Sequence, residues 1–273
     1  MAESSRRTDG SLSRAIELAR EALTDSPTGL LTDFDGTVSA IVEDPSAARL
    51  VIGAGDAFAA LAERLDVVAI ITGRAPLDAR RLTGVPGLLI AGNHGMEWLE
   101  PDADEAHAAP GEASLRAHLD EVIAALPDLP GIVVEHKGVS ASVHYRNAPD
   151  PDATRSAILS ALGDIEARGL RIGHGRMIVE LRPVGLGDKG SAVHVIVERF
   201  GLRGVVVMGD DITDLDMFRA VDELRAAGRI RGTIIGVGGA DHEAPGEVVA
   251  AADAMLIDPV AAARFLVELA GPS

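Results

Sequence analysis

Six short apolar runs recur along the chain, each closed by a polar or glycine-containing turn. They are GLLTDF (29–34), VVAII (67–71), GLLIAG (87–92), VVVM (205–208), TIIGVG (233–238) and AMLI (254–257). A run that stays apolar instead of alternating reads as a strand buried on both faces. Between most of the runs lie segments with helical periodicity, such as GDAFAALAERL (55–65) and DMFRAVDELRAAG (216–228). That alternation predicts an α/β fold, a parallel sheet covered by helices on both sides. Ligands of such sheets bind beyond the carboxyl ends of the strands. The residues that follow each run are therefore the ones to read for function.

After the first run come Asp33, Phe34, Asp35, Gly36 and Thr37; after the second, Thr72, Gly73 and Arg74; after the third, Asn93, His94 and Gly95; after VVVM, Gly209, Asp210 and Asp211. Glycine and asparagine suit ordinary turns, but carboxylates gathered at one sheet edge repel one another. Asp33, Asp35, Asp210 and Asp214 become stable together if a hard divalent cation sits among them. Mg2+ takes oxygen ligands and leaves room for a substrate phosphate. Phosphoryl transfer needs such an ion, a carboxylate can itself attack phosphorus, and a second acid two residues on can protonate the leaving oxygen.

The chain has 42 acidic and 25 basic residues, a net charge of −17. That disfavours a sequence-independent nucleic-acid binder and docking on anionic lipid. It contains no cysteine, so disulfides and thiolate chemistry are out and a reducing compartment fits. The N-terminal MAESSRRTDGSLSRAIELAR lacks the apolar stretch of a signal peptide, and no run is long enough to span a membrane. A cytoplasmic protein is expected. Among the basic residues only Lys137 and Lys189 are lysines, each followed by glycine. Lysine is a compact point charge and arginine a planar fork. Lys189 opens a helical segment, DKGSAVHVIVERFG, where backbone N–H groups also favour anions; with the Thr72 hydroxyl it can hold phosphate oxygens.

The middle of the chain reads differently. SLRAHLDEVIAAL is helical, GIVVEHKG and VSASVHYR form a β-pair, PDATRSAILSALGDIEARG is a second helix and RMIVELRP another strand. This predicts a smaller α+β domain with an antiparallel sheet over 112–184, inserted into a core of 27–111 and 185–273, with 1–26 as a tail carrying one helix.

DFDGT (33–37), TGR (72–74), Lys189 and GDD with Asp214 resemble, in order, the four motifs of the haloacid-dehalogenase superfamily of phosphohydrolases. NHGMEW (93–98), EHKG (135–138), SVHYR (142–146), VELRP (179–183), GDKG (187–190) and GDDITD (209–214) are similar to segments of the trehalose-6-phosphate phosphatases. The resemblance covers most of residues 28–260. It implies a Rossmann-like core with an inserted C2-type cap, and hydrolysis of trehalose 6-phosphate through an aspartyl-phosphate. By it Asp33 is the nucleophile, Asp35 the acid–base group, and Thr72 and Lys189 complete the catalytic set. Mg2+ would be held by Asp33, the Asp35 backbone carbonyl and Asp210, with Asp214 and Asp211 in support. Gly73, Arg74, Asn93 and His94 would contact substrate, and Glu135, Lys137, Arg146, Glu180 and Arg182 would be the cap's sugar-facing residues. The active site would lie between core and cap, and domain closure would exclude water. The partner is a small sugar phosphate, with no nucleic acid or membrane, and the chain is expected to be a monomer.

The family usually has a glutamate directly after GDDxTD, where this chain has Leu215. That keeps a second substrate class open: glucosylglycerol phosphate, or a pseudo-disaccharide phosphate. A catalytically silent sugar-phosphate sensor is the reading from another class. Taken singly, several motifs have plainer explanations. Asp33 and Asp35 could form an Asx turn, Thr72–Arg74 an ordinary strand-to-helix turn, Asp210 and Asp211 helix caps, and the charged β-pair residues a solvated face. Tyr145, Trp98, Met208 and Phe218 read as core.

Overall fold

The computed structural model describes residues 2–109, 111–137, 139–175, 177–184, 187–238 and 244–271. The chain divides into two compact units, Met1–His107 with Asp188–Ser273, and Ala108–Gly187. The expected boundary at residue 185 falls outside the described residues.

In the first unit the chain runs through α1 (Ala2–Ala22), β1 (Thr28–Thr32), α2 (Ala54–Ala62), β2 (Val67–Ile71), α3 (Pro76–Thr83), β3 (Leu89–Gly92) and β4 (Glu97–Leu99), and β5 (His107–Ala108) spans the division between the units. The second unit holds α4 (Glu112–Ala124), β6 (Val133–Lys137), β7 (Ser140–His144), α5 (Pro151–Leu162), β8 (Leu170–Gly175) and β9 (Ile178–Pro183). The first unit then resumes with α6 (Lys189–Phe200), β10 (Gly204–Gly209), α7 (Leu215–Ala226), β11 (Arg231–Val237), α8 (Gly246–Ala251), β12 (Ala254–Leu256) and α9 (Pro259–Ala270).

The large sheet has the order β12-β11-β10-β1-β2-β3-β4-β5. From β12 to β3 every pairing is parallel, and β4 lies antiparallel to β3. Every residue of β1, β2 and β10 is buried, as unbroken apolar runs require, and each fully buried Val, Leu or Ile contributes about 1.5–3 kcal/mol. Met208, Phe218 and Trp98 are core residues. The helices begin and end on local chemistry. Asp188 caps α6 by accepting from the Ser191 N–H, Asp258 caps α9 in the same way, and Gly201 closes α6 in the left-handed region. α1 buries Leu12, Ala15, Ala19 and Ala22 in the core of this unit, and Thr233 of β11 donates to its Leu18 carbonyl.

In the second unit four antiparallel strands lie in the order β6-β7-β9-β8. Sequence reading expects three strands here and misses β8. Its glycines, Gly173 and Gly175, interrupt the alternation that identifies the other strands. The second helical segment also stops early, at Leu162, because Gly163 turns out of the helix with φ 57°. One sheet face packs Ala141, Val143, Tyr145, Val179 and Leu181 against Leu119 and Val122 of α4 and Ile158 and Leu162 of α5. No helix among the described residues is long and apolar enough to cross a membrane.

Candidate active site

β1 is the point where the strand order reverses. The chain moves from β1 to β2 and β3 on one side, then returns to β10 on the other. Such a switch point leaves a crevice beyond the strand ends. Asp33 follows β1 there and Asp210 follows β10, and the Asp33 N–H still donates to the Met208 carbonyl, at 3.0 Å. The neighbouring strands deliver Thr72 and Asn93 to the same edge.

The turn between Asp35 and Thr37 requires glycine. Gly36 has φ +78°, and a Cβ there would come within 2.0 Å of Oδ2 of Asp210. The absent side chain is what lets the Asp210 carboxylate stand against the turn. Thr37 donates its hydroxyl to Oδ1 of Asp210 at 2.7 Å. Sequence reading passes over Thr37 as a functional residue, although its place in DFDGT is a signal for it.

Lys189, the first residue of α6, is buried and bridges two carboxylates. Its Nζ lies 2.8 Å from Oδ1 of Asp33 and 2.6 Å from Oδ1 of Asp214. Asp214 is fully buried, and its other oxygen accepts the N–H groups of Asp210 and Asp211 at 2.9 and 3.0 Å. Asp214 thus shapes the Asp210–Asp211 turn from behind, through a capping box with Asp211. Carboxylate oxygens of Asp33, Asp210 and Asp214 all lie within 4.8 Å of one another.

Three carboxylates and one ammonium leave an excess of negative charge in a buried place. Burial, and next the Asp214 charge, push the Asp33 carboxyl up to about 8 against the opposing pull of Lys189. Burial also raises Asp210, to about 7; the Thr37 hydrogen bond pulls the other way and the Asp214 charge adds to the rise. For Lys189 burial disfavours the charge, but Asp33 and Asp214 outweigh it and hold the ammonium above its ordinary range. A bound cation would relieve this excess, and an all-oxygen donor set suits a hard divalent ion.

Asp35 stands nearer the surface. Arg74 grips both of its oxygens, Nε to Oδ2 at 2.6 Å and Nη2 to Oδ1 at 2.7 Å, and this hydrogen-bonded pairing raises the Arg74 pKa. Thr72 is buried, and its hydroxyl accepts the Arg74 N–H at 3.2 Å. Asn93 and His94 both adopt positive φ. The His94 N–H donates to the Thr72 carbonyl at 2.9 Å, and the Asn93 amide bonds Glu97. Gly73 admits the His94 ring, since a Cβ there would meet its Nε2 at 2.8 Å.

The remaining sequence candidates lie in the second unit. Glu135 faces Ser142, Lys137 faces Ser140, and Ser142 faces Glu180 across the ladder. Glu135, Glu180 and Arg182 therefore share the sheet face opposite the buried one. Arg182 pairs with Glu180 at 2.6 Å, and His144 with Glu135 at 3.1 Å. Arg146 is exposed just beyond β7. The side chain of Lys137 lies outside the described residues. Tyr145 is buried on the apolar face. Leu215 is buried at the start of α7, and the neighbouring Asp216 pairs with Arg219 at 2.7 Å.

A sheet that runs parallel from β12 to β3, with an aspartate pair after β1 at the switch point, is a Rossmann-like core with its candidate residues beyond the carboxyl ends of the strands. A family model described as trehalose-phosphatase matches residues 31–239. A trehalose-phosphate phosphatase of Mycobacterium avium is 39% identical over 92% of this chain, and the match spans 66% of that protein. An uncharacterized glycosyl hydrolase of Mycobacterium tuberculosis is also 39% identical over 92% of this chain, but over only 19% of its own length. The chain therefore spans just under two thirds of one relative and about a fifth of the other. The crystal structure of Aspergillus fumigatus trehalose-6-phosphate phosphatase has the same fold, with TM-score 0.71, 23% identity, and 95% and 97% of the two chains covered. This chain belongs to the trehalose-phosphatase family.

Proposed function

We propose that this chain hydrolyses trehalose 6-phosphate to trehalose and phosphate, with Asp33 as nucleophile. The observation that carries this reading is Lys189, buried between Asp33 and Asp214 with Asp210 alongside. A lysine so placed favours the ionised form of the attacking carboxylate and aims it, and ammonium has three donors, of which two serve Asp33 and Asp214.

In this reading an Asp33 oxygen attacks phosphorus as the bond to the sugar oxygen breaks. Protonated Asp35 gives its proton to that leaving oxygen. Asp35, now a carboxylate, takes a proton from water; the water oxygen attacks phosphorus, and the bond to Asp33 breaks to free phosphate. Lys189 and the Thr72 hydroxyl hold the non-bridging phosphate oxygens. Mg2+ fits the donor set, with Asp33, the Asp35 backbone carbonyl and Asp210 as proposed ligands and Asp214 supporting them. When bound, the ion offsets phosphate charge so that an anionic carboxylate can approach.

The second unit is proposed as the cap domain, with Glu135, Lys137, Arg146, Glu180 and Arg182 as sugar-binding residues, and Gly73, Asn93 and His94 as further substrate contacts. A second reading rests on Leu215, a buried apolar residue where the resemblance to the family leads one to expect a glutamate. It keeps the chemistry and changes the sugar to another glycosyl phosphate.

The test is phosphate release from trehalose 6-phosphate, with and without Mg2+, beside glucose 6-phosphate, sucrose 6-phosphate and glucosylglycerol phosphate, with Asp33→Asn as control. Mg2+-dependent turnover that is fastest with the trehalose ester and absent in Asp33→Asn is expected. Preference for another ester overturns the substrate and keeps the chemistry. Ligand binding without turnover of any ester establishes the sensor reading instead.

A further inference from the structure

Each nitrogen of the Arg74 guanidinium is engaged. Nε and Nη2 hold the two oxygens of Asp35, and Nη1 donates to the Pro45 carbonyl at 2.8 Å. Its Cζ stands 5.5 Å from the centroid of the Phe34 ring. A two-point bond between planar groups fixes the rotation of the carboxylate as well as its position. The far end of the guanidinium is fixed by a carbonyl of the stretch 40–47, every residue of which is exposed.

That stretch leaves the site at Ser39 and returns at Leu50, and bridges from Asp35 to Ser39 and from Ser39 to Leu50 close its base. Its other side-chain bonds are local: Asp44 accepts from Ser46, and Arg49 donates to the Ser46 carbonyl. Arg74, which follows β2, ties the stretch to the sheet. Asp35, Arg74 and Pro45 therefore form a chain of three links from a catalytic carboxylate to a surface loop.

We propose that Arg74 is a positioning residue that aims the Asp35 carboxylate and couples its orientation to the 40–47 loop, and that it does not hold the substrate phosphate. The inference rests on the reading of Asp35 as the acid–base group. A phosphate ligand needs donors turned toward it, whereas the Nε–H of Arg74 and one N–H on each of its terminal nitrogens are turned to Asp35 and Pro45. A shift of the loop reaches Asp35 through one rigid side chain, and a misplacement of about 1 Å at a reacting group can cost on the order of 10²-fold in rate.

Two measurements on the full chain test this. In steady-state hydrolysis of trehalose 6-phosphate with saturating Mg2+, Arg74→Met should lower kcat on the order of 10²-fold with little change in KM. Arg74→Lys, which keeps the charge and loses the fork, should fall nearly as far. In hydrogen exchange, the amides of residues 44–48 should exchange faster in Arg74→Met and in Asp35→Asn alike, and the double variant should add nothing. A rise in KM larger than the loss in kcat would make Arg74 a substrate ligand and overturn the proposal, as would unchanged exchange at 44–48. If the wild-type chain turns over no sugar phosphate, the phosphatase reading fails by itself. The exchange result then decides alone whether Asp35, Arg74 and the loop are coupled.

Discussion

Nζ of Lys189 lies 2.6 Å from Oδ1 of Asp214, with both side chains almost wholly out of solvent. The bond joins the first turn of α6 to the turn after β10, and the same ammonium holds Asp33 at the end of β1. Breaking a buried pair leaves a charge without compensation, so Lys189→Met should destabilise the fold by about 3–5 kcal/mol. Denaturant unfolding of the metal-free protein measures it, and an unchanged midpoint would sink the prediction.

Asp33→Asn should act in the opposite sense on stability. It removes one of three crowded carboxylates while Asp214 keeps Lys189 paired. The metal-free variant is expected to melt at or above the wild-type temperature although its turnover is lost. A lower Tm would show that Lys189 depends on both partners.

The raised carboxyls make stability depend on pH in a definite direction. Asp33 and Asp210 titrate at about 8 and about 7 in the fold, against an ordinary 3.8. Over that window the folded chain binds more protons than the unfolded one, so stability falls as pH rises. The metal-free protein should lose Tm between about pH 4 and pH 8 through these two groups. Added Mg2+ competes with those protons and should restore more Tm at pH 8 than at pH 5. Equal recovery at both pH values would refute the assignment of Asp33 and Asp210 as ligands.

Gly36→Ala should be more damaging than a single methyl suggests. The residue sits at φ +78°, and its Cβ would overlap the Asp210 carboxylate. The left-handed conformation alone costs about 1–2 kcal/mol, and relief of the overlap must displace Asp210. Isothermal titration should show weaker Mg2+ binding together with a lower Tm. Loss of stability with normal Mg2+ affinity would mean that Asp210 is not a ligand.

Thr37→Val removes the hydroxyl that orients Asp210 and keeps the shape. Orienting partners of metal ligands are typically worth about 10–100-fold in affinity. The Mg2+ dissociation constant should rise by that order, and a KM for sugar phosphate unchanged at saturating Mg2+ would locate the effect in the metal site.

Much of the first unit was legible because its strands are buried on both faces and so read as unbroken apolar runs. Asp33 and Asp210 stood out as candidates for a related reason, since each directly follows such a strand and carries a charge that an apolar strand does not need. What stayed hidden follows from the same physics. β8 carries glycines that break its alternation. α1 buries mostly alanines, which contrast too weakly with their neighbours to mark a core face. The pairings of Arg74 with Asp35 and of Thr37 with Asp210 join residues 39 and 173 positions apart, and a contact that distant leaves no periodic trace.

The two units differ in how the chain supplies them. The second is one uninterrupted stretch, while the first is built from both flanks of it. β1 lacks its β10 neighbour, and α1 its contacts on β11, β12 and α9, until the last third of the chain exists. During synthesis, then, the inserted unit can close its own core while the earlier residues 2–107 still wait for partners. The segment that carries Asp33 and Asp35 is made early and secured late. In the growing chain it stays without its β10 neighbour until the last third is made.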